Sequence, residues 1–312
     1  MPLITITLLC MEPDENLEYR MVLDSVGFVS THPLPSVEIL SHHYANKYYQ
    51  KPKGTYSQAY SPTENLHRSL RYQVRLKAAE LFLDPPRDTE KLSAIDIGCG
   101  EGFFLSLLQD RNYDCLGLDY SAEGITKHNP LMIQKFIEGN PYDSIDRLIY
   151  EKKTFDLINA GNVLEHVLDV EMFLKKIKAL MSVHSVAIIS VPNDTSSLQE
   201  LLLEVGSIDR RYFFSPPEHL QYFNADSLLI TLKHFGLHVV DLLGDFPIEW
   251  FLANEKANYV MNSELGTFAH AARITIENYI NGNPDTNRIL GFWRALAALG
   301  MGRVLTAICK IA

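Results

Sequence analysis

Between Leu92 and Leu243 the chain alternates short, almost wholly apolar runs with longer stretches whose apolar residues recur at helical spacing. The runs are SAIDIG (93–98), CLGLDY (115–120), FDLINAG (155–161), VAIISVP (186–192) and HVVDLL (238–243). Runs this short and this apolar predict strands buried on both faces, since a strand wet on one face alternates apolar with polar. Between them, FFLSLLQDR (103–111), VEMFLKKIKALM (170–181) and ADSLLITLKHFG (225–236) predict helices. A further helix starts after Ser61-Pro62, where proline suits a first turn, and carries Leu66, Leu70, Val74, Leu76, Ala79 and Leu81. The alternation predicts an α/β fold, a doubly wound and mostly parallel sheet with helices on both faces.

The flanks read differently. Residues 1–60 form an irregular N-terminal module rich in Tyr and Pro, and its apolar opening MPLITITLLCM predicts a strand. That opening lacks the basic start and small-residue cleavage site of a secretory leader. The α/β domain is expected over 61–245 and a helical C-terminal extension over 246–312, with no strand in it. The last apolar stretch, ALAALGMGRVLTAICKIA, is split by Arg303 and falls short of a membrane span. It is expected to be core or the face of a homodimer rather than a membrane-surface helix.

Charge narrows the partners. The formal net charge is −10, which repels phosphate backbones and argues against nucleic acid. Lys175, Lys176 and Lys178 lie on one predicted helix and read as a solvated face. The four cysteines, Cys10, Cys99, Cys115 and Cys309, form no C-x-x-C pair, hence neither a disulfide framework nor a zinc set. A reducing cytoplasm is the expected setting.

The chemistry concentrates at the front of the domain, in the stretch Ala94-Ile-Asp-Ile-Gly-Cys-Gly-Glu-Gly-Phe-Phe-Leu. A strand ends at Ile97, and Gly98, Gly100 and Gly102 precede a helix. Such glycines allow positive φ and let a ligand lie against bare backbone; the alternative is a tight turn that merely uses glycine. The dinucleotide fingerprint G-x-G-x-x-G would need glycine at Phe103. Asp96, two residues before the loop, would also repel a pyrophosphate. Both disfavour an NAD-dependent oxidoreductase and favour a ligand with a cationic amino group. About twenty residues on, Asp119 ends the second strand and can accept both ribose hydroxyls, or cap the next helix.

AIDIGCGEGFFL and LGLDYS resemble the first two motifs of class I S-adenosylmethionine (SAM)-dependent methyltransferases, and FDLINAGNVLEHV (155–167) resembles the fourth strand and the segment after it. With IISVPN (188–193) the resemblance spans roughly 62–243 and implies a Rossmann-like domain. It implies methionine-side contacts from Asp96, Gly98, Cys99, Gly100 and Gly102, with Cys99 at a variable, chemically inert position. It further implies Asp119 on the ribose, Tyr120 on the adenine, and Asn140 where the family often has an acid near the adenine amino group. Asn159 and Asn162 border the sulfonium.

For the acceptor side, Glu165-His166 follows the fourth strand, and His219 lies in Glu218-His219-Leu220-Gln221-Tyr222-Phe223. Both resemble EH-containing segments of the small-molecule branch, including ubiquinone-pathway and deoxysugar methyltransferases. His166 and His219 are the candidate bases, with Glu165 orienting a histidine; a packed ring fixing a loop is the alternative for each. One acid does not make a metal site, and no metal is assigned. Tyr44, Tyr48, Tyr49, Tyr56 and Tyr60 are expected either to lie over the cofactor or to pack on the main domain. VGFVSTHPLPSVEILSHHYANKYYQ resembles the end of a zinc-ribbon module fused to some sugar and polysaccharide methyltransferases. Leu23 and Val26 stand at its cysteine positions, so no structural zinc is expected there. The expected function is SAM-dependent methyl transfer to a small molecule, a hydroxyl of a sugar, nucleotide sugar or glycan precursor. Carbon methylation of a keto-sugar and a non-catalytic SAM-binding protein are the alternatives.

Overall fold

A computed structural model describes residues 19–37, 40, 59–85 and 91–311. The strand expected at the N-terminus, Cys10, and Tyr44, Tyr48, Tyr49 and Tyr56 lie outside the described residues. In chain order, a hairpin of β1 (Arg20–Leu23) and β2 (Val29–His32) precedes the long helix α1 (Pro62–Glu80). The first half of the domain is β3 (Ser93–Ile97), α2 (Phe103–Asp110), β4 (Asp114–Asp119), α3 (Glu123–His128), β5 (Phe136–Glu138) and α4 (Pro141–Tyr150). The second half is β6 (Phe155–Gly161), α5 (Val170–Ala179), β7 (Met181–Pro192), α6 (Ser197–Glu204), β8 (Gln221–Tyr222), α7 (Ala225–His234) and β9 (Leu237–Gly244). Then come α8 (Glu249–Leu252), α9 (Gly266–Asn281), α10 (Thr286–Ala298) and β10 (Val304–Ile311).

The main sheet has seven strands in the order β5-β4-β3-β6-β7-β10-β9. β3 pairs in parallel with β4 on one side and β6 on the other, so strand order reverses beside β3 and a crevice opens at the carboxyl ends there. Alternate residues serve the two faces. Ile95, Ile97, Ile158 and Ala160 join Phe173, Ile177 and Leu228 in one apolar cluster. Ala94, Leu157, Val186 and Ile188 join Leu105, Leu108, Leu290 and Trp293 in the other. All are buried, which is why these strands read as continuous apolar runs.

One expectation fails. The C-terminal region is helical through Ala298, but Val304–Ile311 is a strand inserted antiparallel between β7 and β9. The helix stops where Gly300 and Gly302 take φ of +68° and +110°, and a Cβ on Gly302 would meet backbone of Gly244 and Asp245 within 3.0 Å. The chain turns tightly there and enters the sheet, so Val304–Ile311 is core, one of the two placements expected, and not a helix on a membrane surface.

The N-terminal hairpin is tied to the domain by β8. β2 pairs antiparallel with β8, making a second, three-stranded sheet β1-β2-β8. Ser30 Oγ donates to Gln221 Oε1, and Thr31 Oγ1 lies 3.3 Å from the carbonyl oxygen of His219. Of the zinc-ribbon cysteine positions, Leu23 ends β1 and Val26 lies within the hairpin turn, where Gly27 takes φ +115°.

Candidate active site

The glycine loop leaves β3 in a left-handed sequence, with φ of +70° at Gly98, +54° at Gly100 and +77° at Gly102. Only glycine adopts this without strain. Gly98 has a second reason: a Cβ there would come within 2.6 Å of Val163 Cγ2. The loop therefore sits directly against the segment that follows β6. The N–H groups of Gly98 and Cys99 both donate to the Leu118 carbonyl, which ties the loop to the end of β4. Gly100 N–H donates to Asp119 Oδ2 at 2.8 Å. The Cys99 side chain turns inward over Gly117, and burial raises its thiol pKa well above the ordinary value.

Acidic groups dominate this end of the crevice. Asp96 is buried and accepts from Asn159 Nδ2 at 2.6 Å. Burial pushes its carboxyl up to about 7, and the neighbouring Asp119 adds to the shift while Asn159 and Arg75 oppose it. Two buried carboxylates facing a bare-backbone loop fit a ligand that brings positive charge. Arg75, from α1, supplies the complementary feature. Its Nη1 lies 3.6 Å from where a Cβ on Gly161 would stand, and it forms no hydrogen bond or ion pair among the described residues. Burial pulls its pKa down to about 10. A zwitterionic amino acid moiety matches both sets of groups. The SAM methionine moiety is of that kind, so the residues present fit that cofactor.

Farther along, Tyr120 donates from its hydroxyl to Asn140 Oδ1 at 3.3 Å. Asn140 is the N-cap of α4, and its oxygen also accepts from Tyr142 N–H at 3.0 Å. That oxygen is already engaged twice, so the adenine contact the resemblance implies for Asn140 is not ready-made. Above the loop, Tyr60 donates to Glu101 Oε1 at 2.6 Å, and the Arg68 guanidinium lies 3.8 Å over the Tyr60 ring. Tyr60 alone of the singled-out tyrosines is described, and it packs on the main domain against Glu101, Phe103 and His128.

A second cluster is built by two distant segments. Asn162, in a left-handed conformation after β6, donates from Nδ2 to Glu165 Oε1 at 3.1 Å. Leu220 N–H donates to the Glu165 carbonyl, which draws the 215–220 loop over the 3-10 turn at Leu164–His166. The His166 and His219 rings thereby meet edge to face, with centroids 5.0 Å apart. Burial lowers the pKa of both imidazoles, so both are neutral near pH 7. Burial also pushes the Glu165 carboxyl up to about 8. Beside this trio lies a polar belt the sequence reading missed. Arg303, just before β10, pairs with Asp194, just after β7, at 2.5 Å. Gln199 bridges Glu249 and Tyr212.

Comparison with known proteins identifies the family. A family model described as a methyltransferase domain matches residues 66–242, more than half of the chain. The chain belongs to the methyltransferase domain family. It is an enzyme whose methyl donor is SAM. Among relatives, the methyltransferase is 23% identical over 198 residues to the ubiquinone biosynthesis O-methyltransferase of Rickettsia felis, covering 60% of this chain and 80% of that one. It is 25% identical to a probable (S)-tetrahydroprotoberberine N-methyltransferase 2 of Papaver bracteatum, over 60% of this chain and 55% of that one. Of solved structures, a SAM-dependent methyltransferase from Archaeoglobus fulgidus aligns with TM-score 0.47 at 18% identity, covering 88% of this chain and all of that one.

The fold thus gathers the sequence-predicted residues into two neighbouring groups. Asp96, Gly98, Gly100, Gly102, Asp119 and Asn159 surround the loop, while Glu165, His166 and His219 converge beyond Asn162. Arg75, Arg303 and Asp194 carry no local motif. Only their burial and their reach across elements mark them, and neither is legible before folding.

Proposed function

We propose that this methyltransferase moves a methyl group onto a hydroxyl of a small, polyhydroxylated acceptor of the sugar or nucleotide-sugar type. In this reading the glycine loop and Asp96 take the methionine end of the cofactor, Asp119 takes the ribose, and Arg75 takes the methionine carboxylate. Bound SAM supplies an already activated methyl group, so the protein's work is to align the acceptor, exclude water and remove one proton. Desolvation lowers the pKa of the half-buried His166 and His219 imidazoles, which favours the neutral form a base requires. Glu165 orients them from a site 3.9 Å from His166 Nε2.

One observation carries the acceptor class. Four buried polar atoms near the ends of β6 and β7 have no hydrogen-bond partner among the described residues: Glu165 Oε2, Asn193 Oδ1, Asp194 Oδ2 and His219 Nδ1. Unpaired buried groups reject a ligand that cannot bond to them and select one rich in hydroxyls. The name of the Rickettsia felis relative supports oxygen as the methylated atom. The zinc-ribbon-like N-terminal segment supports a sugar by association.

The test is release of S-adenosylhomocysteine against a panel of nucleotide sugars, free sugars and small phenols, with full-length protein. Turnover of a sugar hydroxyl is expected. Turnover confined to phenols would remove the sugar reading and leave methyl transfer standing. Binding of the cofactor with no turnover of any acceptor class would favour a non-catalytic SAM-binding protein.

A further inference from the structure

Glu165 and His166 come from the turn after β6, and His219 comes from the loop before β8, some fifty residues later. One ligand-capable atom from each lies within 4.8 Å of the others. Among the described residues no other set of histidine, cysteine or acidic side chains gathers in this way. Two of the trio's polar atoms, Glu165 Oε2 and His219 Nδ1, are buried with no hydrogen-bond partner. Glu165 itself is 1% exposed. Buried polar atoms nearly always have a partner, so two orphans in one cluster point to a ligand.

The remaining atoms say what kind. His166 Nδ1 lies 2.5 Å from the Glu218 carbonyl oxygen, which holds the ring proton on Nδ1 and leaves Nε2 with its lone pair. Histidines that bind metals ordinarily have this outer hydrogen bond. Asn162 Nδ2 steadies the carboxylate in the same way through Oε1. No lysine or arginine cation pairs with the Glu165 carboxylate among the described residues. The nearby Arg303 does not supply one, being paired with Asp194.

We propose that Glu165, His166 and His219 bind one divalent transition-metal ion, and that this ion takes an oxygen of the methyl acceptor. Two imidazoles with one carboxylate suit Zn²⁺, Fe²⁺ or Co²⁺ and disfavour Mg²⁺ and Ca²⁺, which seek oxygen ligands throughout. Three protein ligands leave a position open for substrate. The proposal rests on the reading that this part of the crevice receives the acceptor. An acceptor hydroxyl bound to the ion releases its proton to water near neutral pH. The resulting oxygen anion forms the new bond to the methyl carbon. The carbon–sulfur bond breaks with its electron pair staying on sulfur, which leaves a neutral thioether. With the ion in place the imidazoles are ligands, and bulk water replaces a histidine as the proton's destination.

The experiment uses the full chain, stripped with a chelator and then titrated with Zn²⁺ and with Mg²⁺ by calorimetry, and with Co²⁺ by visible absorption. S-adenosylhomocysteine binding is measured on each sample. One Zn²⁺ per chain is expected, with Mg²⁺ binding at least about 100-fold more weakly. Glu165→Gln and His219→Ala should each weaken Zn²⁺ by at least about tenfold, with S-adenosylhomocysteine binding retained. His219→Asn serves if the alanine variant does not fold. His184→Ala, which removes an exposed histidine paired with Asp84, should bind Zn²⁺ as the wild type does. Absence of Zn²⁺ binding, or zinc that persists unchanged in the Glu165 and His219 variants, overturns the proposal. Retained S-adenosylhomocysteine binding in that case leaves the methyltransferase reading intact. Loss of it in the wild type would instead remove the reading beneath.

Discussion

Gly98 allows the steric basis of the cofactor loop to be measured. Gly98→Ala carries two separable penalties. The first is backbone: φ is +70°, and an L-residue in the left-handed region costs about 1–2 kcal/mol. The second is packing: the new Cβ would stand 2.6 Å from Val163 Cγ2 but 3.9 Å from Val163 Cβ. Overpacking of this kind costs about 1–3 kcal/mol. The sum is a loss of about 2–5 kcal/mol. Gly206 isolates the first term, because its φ is +74° and a Cβ there meets nothing within 4 Å. Gly206→Ala should therefore cost about 1–2 kcal/mol and leave cofactor affinity untouched. Val163→Ala isolates the second. It deletes Cγ2 and leaves only the atom at ordinary contact distance, so the double variant should recover the steric part alone. Urea unfolding of the wild type, both single variants and the double variant gives the coupling energy, expected at about 1–3 kcal/mol. Calorimetry with S-adenosylhomocysteine should show affinity lost in Gly98→Ala and partly restored by Val163→Ala. A coupling energy within about 0.5 kcal/mol of zero would refute the contact. Unchanged affinity in Gly98→Ala would refute the cradle.

Three further outcomes are expected. Burial pushes the Asp96 carboxyl up to about 7, and the amino group of the methionine moiety is held best by its ionised form, so affinity for SAM and for S-adenosylhomocysteine should both fall below that pH. Affinities that stay flat across that range, measured by calorimetry, would count against Asp96 holding that amino group. For stability the sign is the reverse of a paired carboxylate. The folded state holds this proton more tightly than the unfolded chain, whose ordinary value is 3.8, so this group's contribution declines as pH rises from about 4 to about 7. Arg303→Leu leaves Asp194 buried without its partner and should cost about 3–5 kcal/mol, most of it regained on adding Asp194→Asn; a loss under about 1 kcal/mol in thermal unfolding would show that the pair is not buried in solution. Ending the chain after Leu299 removes β10, which should abolish cooperative unfolding seen by circular dichroism. A wild-type melt for that truncation would show the strand to be dispensable.

Where local chemistry decides structure, the sequence was a sufficient guide. The strands at 155–161 and 186–192 are mostly apolar because both faces of the sheet are covered, so their burial is largely written in composition. The glycine loop is equally legible, since three positive φ values at alternate residues leave few choices besides glycine. Val304–Ile311 is the opposite case. An apolar run containing Ala307 and Cys309 suits helix or strand alike, and pairing with Ile188 and Ile189 of β7 on one side and Leu242 and Leu243 of β9 on the other makes it a strand. The active site divides along the same line. Asp96 and Asp119 are readable because each sits at a fixed step from the glycines. The meeting of His219 with Glu165 and His166 is not, because one backbone hydrogen bond from Leu220 to Glu165 and the hairpin beneath β8 bring them together. Spacing along a chain specifies what neighbours in sequence can do; only the closing of long loops specifies which distant groups share one space, and in this methyltransferase that closure brings Glu165, His166 and His219 together.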